Sequence, residues 1–201
     1  MLNNQPPIQV INLLLLGCLI ATQSSIAQPQ ASAPASAKTT ANISAKAIPA
    51  TVTIYALSAD SVTIGQGSGF IIRQDGIIVT NWHVLKGASN ARVIMATGEQ
   101  YDRCRFIDGD PQEDIALLKI PGYALPTIES TATVPSVGEK VVAVGTPKGL
   151  GQTVSEGIVS GIRLIGGKQW VQITAAIGPG SSGGPVLDKM GRVFAVSTAF
   201  L

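Results

Sequence analysis

From Ile48 onward the sequence is a succession of short apolar, β-branched runs closed by turn residues, with no long helical period. A first set occupies 51–57, 69–73, 77–81, 91–96, 100–107 and 114–120. Gln74-Asp75-Gly76 makes a tight hairpin between the second and third runs, and Pro121-Gly122 closes the set. After a crossing segment at 124–137, a second set occupies 140–145, 152–163, 169–174, 185–187 and 192–198. Gly166-Gly167 and Lys189-Met190-Gly191 supply its turns. Two consecutive sets of short strands predict an all-β fold of two small antiparallel barrels. Only 13% of residues are charged, against 22 glycines and 12 prolines, which suits such barrels better than a helical bundle.

The N-terminal quarter reads differently. Residues 8–21 are almost wholly apolar, the first basic residue is Lys38, and Ser25-Ile26-Ala27 offers small residues where a signal peptidase cuts. Residues 1–27 are therefore expected to be a secretory signal peptide, although the usual amino-terminal Lys or Arg is lacking. Leu15-Leu16-Gly17-Cys18 also fits a lipoprotein signal that would leave Cys18 lipidated, and an uncleaved anchor is a third reading. The run is short for a spanning helix, which needs about 20 apolar residues. All three readings place the domain outside the cytoplasm, with membrane contact only through a lipid or signal anchor. Residues 28–47, rich in Ala, Ser, Pro and Thr, are expected to form a disordered linker.

Several classes of function are set aside by composition. A net charge of +2 without a basic stripe gives no case for nucleic acid. If Cys18 leaves with the signal, Cys104 is alone, so no internal disulfide is expected. One histidine and one cysteine do not make a zinc site of the usual kind, and no metal or other cofactor is expected. Gly65-Gln66-Gly67-Ser68-Gly69 is followed by Phe70 and no helix, and Gly166-Gly167-Lys168 by Gln169, so neither is a nucleotide loop.

The chemistry is carried by three places. His83, the sole histidine, lies in Thr80-Asn81-Trp82-His83-Val84. An imidazole is the side chain best suited to proton transfer at neutral pH. Asp114 opens the apolar run 114–120, where its carboxylate could be partly buried and hold the imidazole in one tautomer. Asp110 and Glu113 compete for that role but sit in the polar turn before the strand. Gly180-Ser181-Ser182-Gly183-Gly184-Pro185 brackets a serine with glycines. A serine needs an adjacent base to become a nucleophile, and the amides of Gly180 and Ser182 could form an oxyanion hole. The order base, carboxylate, nucleophile predicts acyl transfer through His83, Asp114 and Ser182.

At these residues the chain resembles the trypsin-like serine proteases, and among them the HtrA/Deg type. The resemblance rests on Gly67-Ser68-Gly69-Phe70, 80–88 (TNWHVLKGA), 114–120 (DIALLKI), 151–161 (GQTVSEGIVSG) after Gly145-Thr146-Pro147, and 173–186 (ITAAIGPGSSGGPV). It implies a trypsin-like protease domain over 48–201, with the chymotrypsin-type double barrel and without a PDZ domain. It further implies His83 as base, Asp114 as orienter and Ser182 as nucleophile. The specificity pocket would be lined by Ala176, six residues before the nucleophile, by Ile177 and by Ser197. Protein or peptide substrates follow, with a non-enzymatic peptide binder or inactive truncated domain as the alternative. Ser181 stands where the family usually has Asn, and Thr174 where it often has Asp. The chain stops at Leu201, soon after the run 192–198, so the second barrel is expected to lack its last strand, leaving Phe194 and Val196 uncovered.

Overall fold

The computed structural model describes residues 9–12, 37–147 and 151–198. The expected cut after Ala27, the candidate lipid site Cys18 and linker residues 28–36 lie outside the described residues. The first sheet contains β2 (Thr51–Leu57), β3 (Thr63–Arg73), β4 (Ile77–Thr80), β5 (Asn90–Ile94), β6 (Gln100–Tyr101), β7 (Arg105–Asp110) and β8 (Ile115–Lys119). Its strand order is β6-β5-β2-β3-β4-β8-β7, antiparallel throughout. The strand expected at 69–73 begins six residues earlier, at Thr63. Its glycines hid that half, because glycine carries no β signal. At Gly69 the reason for glycine is spatial: an added Cβ would lie 2.7 Å from Ile54 Cδ1 and 2.9 Å from Ile78 Cγ2. The single run expected at 100–107 is two strands, β6 and β7.

The second sheet contains β9 (Lys140–Gly145), β10 (Thr153–Ile165), β11 (Lys168–Ile173), β12 (Pro185–Leu187) and β13 (Val193–Thr198). It closes into a barrel through β1 (Gln9–Asn12), in the order β1-β11-β10-β9-β12-β13. The expectation of an open side next to β13 is therefore corrected. β1 runs antiparallel to both edges, with Gln9 opposite Thr198 and Gln172, and Ile11 opposite Val196 and Trp170. Unpaired N–H and C=O groups on two facing edges are costly, and an extended segment satisfies both at once. Phe194 and Val196 are fully buried.

A second correction concerns the linker. Thr40–Ala50 forms helix α1, capped by the Thr39 hydroxyl, which accepts from the Asn42 amide at 3.2 Å. Its buried residues are Ile43, Ala47 and Ala50, spaced four and three apart on one face. Strand alternation explains the rest of the packing. Val52, Ile54, Ile71, Ile78, Val93 and Leu118 fill the first barrel, while Val141, Val159, Val171, Val186 and Phe194 fill the second. The opposite faces of the same strands supply Phe70, Val79, Val142, Val144, Leu187 and Val196, which meet between the barrels together with Ile43 and Ala47.

Candidate active site

His83 sits in the one-turn helix α2 (Trp82–Leu85), which follows directly from β4. Asp114 stands immediately before β8, and β4 and β8 are paired from Ile77–Lys119 to Thr80–Ala116. That register brings the ends carrying His83 and Asp114 side by side. The Asp114 carboxylate accepts two hydrogen bonds from the same residue: His83 N–H to Oδ1 at 2.9 Å, and His83 Nδ1 to Oδ2 at 2.7 Å. The Asp114 side chain is 21% exposed and the imidazole 44%, so the carboxylate lies beneath a ring that still faces solvent. Nδ1 held against a carboxylate carries the proton, which leaves Nε2 as the basic nitrogen. Asp114 reaches this position from the left-handed region, at φ 54°. For a non-glycine residue that backbone costs about 1–3 kcal/mol, which the surrounding contacts must offset. Asp110 is excluded as the orienter by its own bonds: its Oδ1 caps the amides of Gln112 and Glu113. Glu113 pairs with Lys168 at 3.4 Å.

Ser182 lies on the loop between β11 and β12, and barrel one holds that loop in place. The Ser68 amide donates to the Ser182 carbonyl at 2.7 Å, and the Ser68 hydroxyl donates to the Gly180 carbonyl at 2.8 Å. Ser68 Oγ in turn accepts from the Thr146 amide at 2.9 Å. Gly183 N–H donates to Ser197 O, Ser197 N–H to Gly184 O, and Ser197 Oγ to Ser181 O at 2.6 Å. Gly180 and Gly183 have φ of 95° and 90°, which only glycine adopts without strain. At Gly183 an added Cβ would also lie 2.1 Å from Ser68 O and 2.4 Å from Thr80 Oγ1. Gly67 separates the two halves of the site: its Cβ would meet Val84 at 2.6 Å and Ser182 O at 3.0 Å. The residue after His83 and the serine loop thus face each other across one backbone.

Ala176, Ile177 and Ser197, expected to line a specificity pocket, line one cavity of about 240 Å³, together with Gly145, Ser155 and Ser181. The Ser155 hydroxyl fixes its wall by donating to Ala176 O at 2.7 Å. Among the described residues no charged side chain lines this cavity. Cys104 is no rival nucleophile: burial pushes its thiol up to about 11, and a protonated thiol is unreactive. Among the described residues no three His, Cys, Asp or Glu side chains cluster as metal ligands would. Sequence reasoning gave no role to Ser68, Thr146, Asn81 or Thr198, all of which bind the site's backbone or one another.

Residues 67–196 match the family model described as a trypsin-like peptidase domain. Protease Do-like 1 of Arabidopsis thaliana chloroplasts is 38% identical over 156 residues, 72% of this chain and 35% of that protein. A probable periplasmic serine endoprotease, DegP-like, from Chlamydia trachomatis is 34% identical over 142 residues, 68% of this chain and 28% of its own length. Among solved structures, the serine endoprotease from Yersinia pestis superimposes with a TM-score of 0.73 at 32% identity, covering 82% of this chain and 58% of that one. The chain spans between 28% and 37% of the length of these and similar curated relatives.

Proposed function

The chain belongs to the trypsin-like peptidases of the HtrA/DegP type, and from that premise we propose that it is a serine endopeptidase acting outside the cytoplasm on proteins or peptides. Ser182 Oγ attacks the scissile carbonyl carbon while His83 Nε2 takes its proton. The Asp114 carboxylate stabilises the imidazolium that results. The carbonyl oxygen gains the negative charge and is received by the amides of Gly180 and Ser182. His83 then hands its proton to the departing amine, the C–N bond breaks, and an acyl-enzyme remains. Water, deprotonated by His83, releases the acid and restores the serine. The substrate side chain before the cut enters the cavity lined by Ala176, Ile177 and Ser197. Export is assigned to residues 1–27, in keeping with the periplasmic naming of relatives.

The observation that carries this reading is the double hydrogen bond from His83 to one largely buried carboxylate. It fixes the ring tautomer, and the closeness of Val84 and the Ser182 carbonyl on either side of Gly67 supports bringing the ring and the serine together. A fluorophosphonate probe on the whole chain tests it, since the probe bonds covalently only to an activated serine. Ser182→Ala should abolish labelling, and His83→Ala should slow it by about 10³-fold or more. Ser181→Ala should keep most of it. Absence of labelling in the folded wild type, or equal loss from both serine changes, would sink the assignment and leave a peptide-binding domain as the better reading.

A further inference from the structure

Asn81 stands at the N-cap of α2, where an asparagine ordinarily turns its side chain onto the first amides of its own helix. Here it makes no such bond. Its side chain is instead completely buried and spent elsewhere. Nδ2 donates to the Asp114 carbonyl at 2.8 Å, and Oδ1 accepts from the Thr198 hydroxyl of β13 at 3.4 Å. The Asp114 carbonyl also accepts from the Trp82 amide at 3.1 Å. Two donors therefore converge on the carbonyl of the one non-glycine residue in the site, among the described residues, whose backbone is left-handed, at φ 54°.

We infer that Asn81 is a positioning residue of the catalytic site, clamping Asp114 in the left-handed conformation from which its carboxylate reaches both donors of His83. The inference rests on the proposed triad and adds the part that holds it together. A carbonyl fixed by two donors fixes the peptide plane after Asp114. With that plane set, the side chain leaves the backbone toward α2, where Oδ1 and Oδ2 meet the His83 amide and Nδ1. Without the Asn81 amide the residue can relax toward negative φ, which swings the carboxylate away from the ring. Thr198 anchors the other end of the clamp in the second barrel, so the orienting acid is referenced to both barrels. A buried amide is well suited to this because it is donor and acceptor at once and carries no charge that would compete with Asp114 for His83.

The chain has one histidine, so its imidazole gives one set of signals. The experiment follows the hydrogen-bonded Nδ1 proton of His83 by NMR on the full chain, alongside kcat and KM on a chromogenic peptide. In the wild type the Nδ1 proton should be shifted far downfield and protected from exchange. Asn81→Ala should lose or broaden that signal and lower kcat by about tenfold to hundredfold, with KM within about twofold. Thr198→Val, which exchanges a hydroxyl for a methyl of the same shape, should move both readouts less and in the same direction. If Asn81→Ala fails to fold, Thr198→Val carries the test alone. An unchanged imidazole signal overturns the inference, whether or not kcat falls. Failure of the wild type to label with the fluorophosphonate would instead strike the functional reading, because the NMR signal reports the His83–Asp114 pair without turnover.

Discussion

At the scale of single residues, the proposed function makes the cavity lined by Ala176, Ile177, Ser181 and Ser197 the place where the substrate side chain before the cut is selected. Its lining of Gly145, Ser155, Ala176, Ile177 and Ser197 offers apolar surface and two serine hydroxyls already spent on carbonyls, and no carboxylate among the described residues. Burying a substrate Lys or Arg there would strand a cation, at several kcal/mol. Cleavage should therefore follow Ala, Val, Leu or Ile, and exceed cleavage after Lys or Arg by about hundredfold or more. Each methylene buried is worth about 0.8 kcal/mol, or about fourfold in kcat/KM, until the cavity is full. A peptide-library profile measures this, and dominance of Lys or Arg before the cut would contradict it. The same residues show where sequence reading stops. His83, Asp114 and Ser182 announce themselves through local patterns: a unique imidazole, an acid opening an apolar strand, a serine between glycines. Ser68 and Thr198 have no local pattern, because their partners lie 112 and 117 residues away along the chain. Asn81 closes the expected strand 77–81, and nothing in that pattern says that its side chain is buried against the Asp114 carbonyl, 33 residues away. The left-handed backbone of Asp114 is imposed by its surroundings and has no signature in the residue itself.

At the scale of elements, the strands were legible and the helix was not. Alternating apolar runs and glycine turns mark β4, β8, β9 and β12 nearly to the residue. Helix α1 buries Ile43, Ala47 and Ala50 in the core and packs Ile48 partly against it, within a stretch whose Ala, Ser and Thr content resembles a solvated linker. Three small anchors suffice because the surface beneath is already apolar: Phe70, Val142, Val144 and Leu187 form the floor on which Ile43 rests. Cutting Ile43 back to Ala should leave a cavity between the barrels and cost about 2–5 kcal/mol, read as a shift of the urea midpoint without a change of slope. The exposed neighbour Lys46, on the other face, should tolerate Ala within about 0.5 kcal/mol. A loss below about 1 kcal/mol at Ile43 would mean that the helix merely rests on the barrels. A protein started at Ile48 should suffer more than the single substitution, because Ile43 and Ala47 both go and only Ala50 of the three anchors stays.

At the scale of the whole molecule, closure of the second barrel depends on four residues drawn from a segment that otherwise reads as an export signal. β1 pairs with β11 on one side and β13 on the other, and its first residue, Gln9, lies opposite Thr198. The same Thr198 donates to Asn81, so the closing strand is one step removed from the clamp on Asp114. A leader cut after Ala27 would take β1 with it and leave both edges unpaired, until another strand filled the slot. Proline at Val10 mimics that loss within the full chain. It removes one N–H from the middle of a strand that has a neighbour on each side, a position where proline is not tolerated. Val10→Pro should therefore lower and broaden the thermal transition and slow fluorophosphonate labelling by about tenfold, through loss of positioning rather than of any catalytic group. The downfield imidazole signal of His83 should weaken with it, because β13 then holds Thr198 less firmly. Adding a synthetic peptide with the sequence of residues 5–16, or appending a closing strand after Leu201, should restore all three readouts. If Val10→Pro unfolds as sharply and as late as the wild type and labels at the same rate, the barrel stands without β1, and the site is indifferent to how that slot is filled.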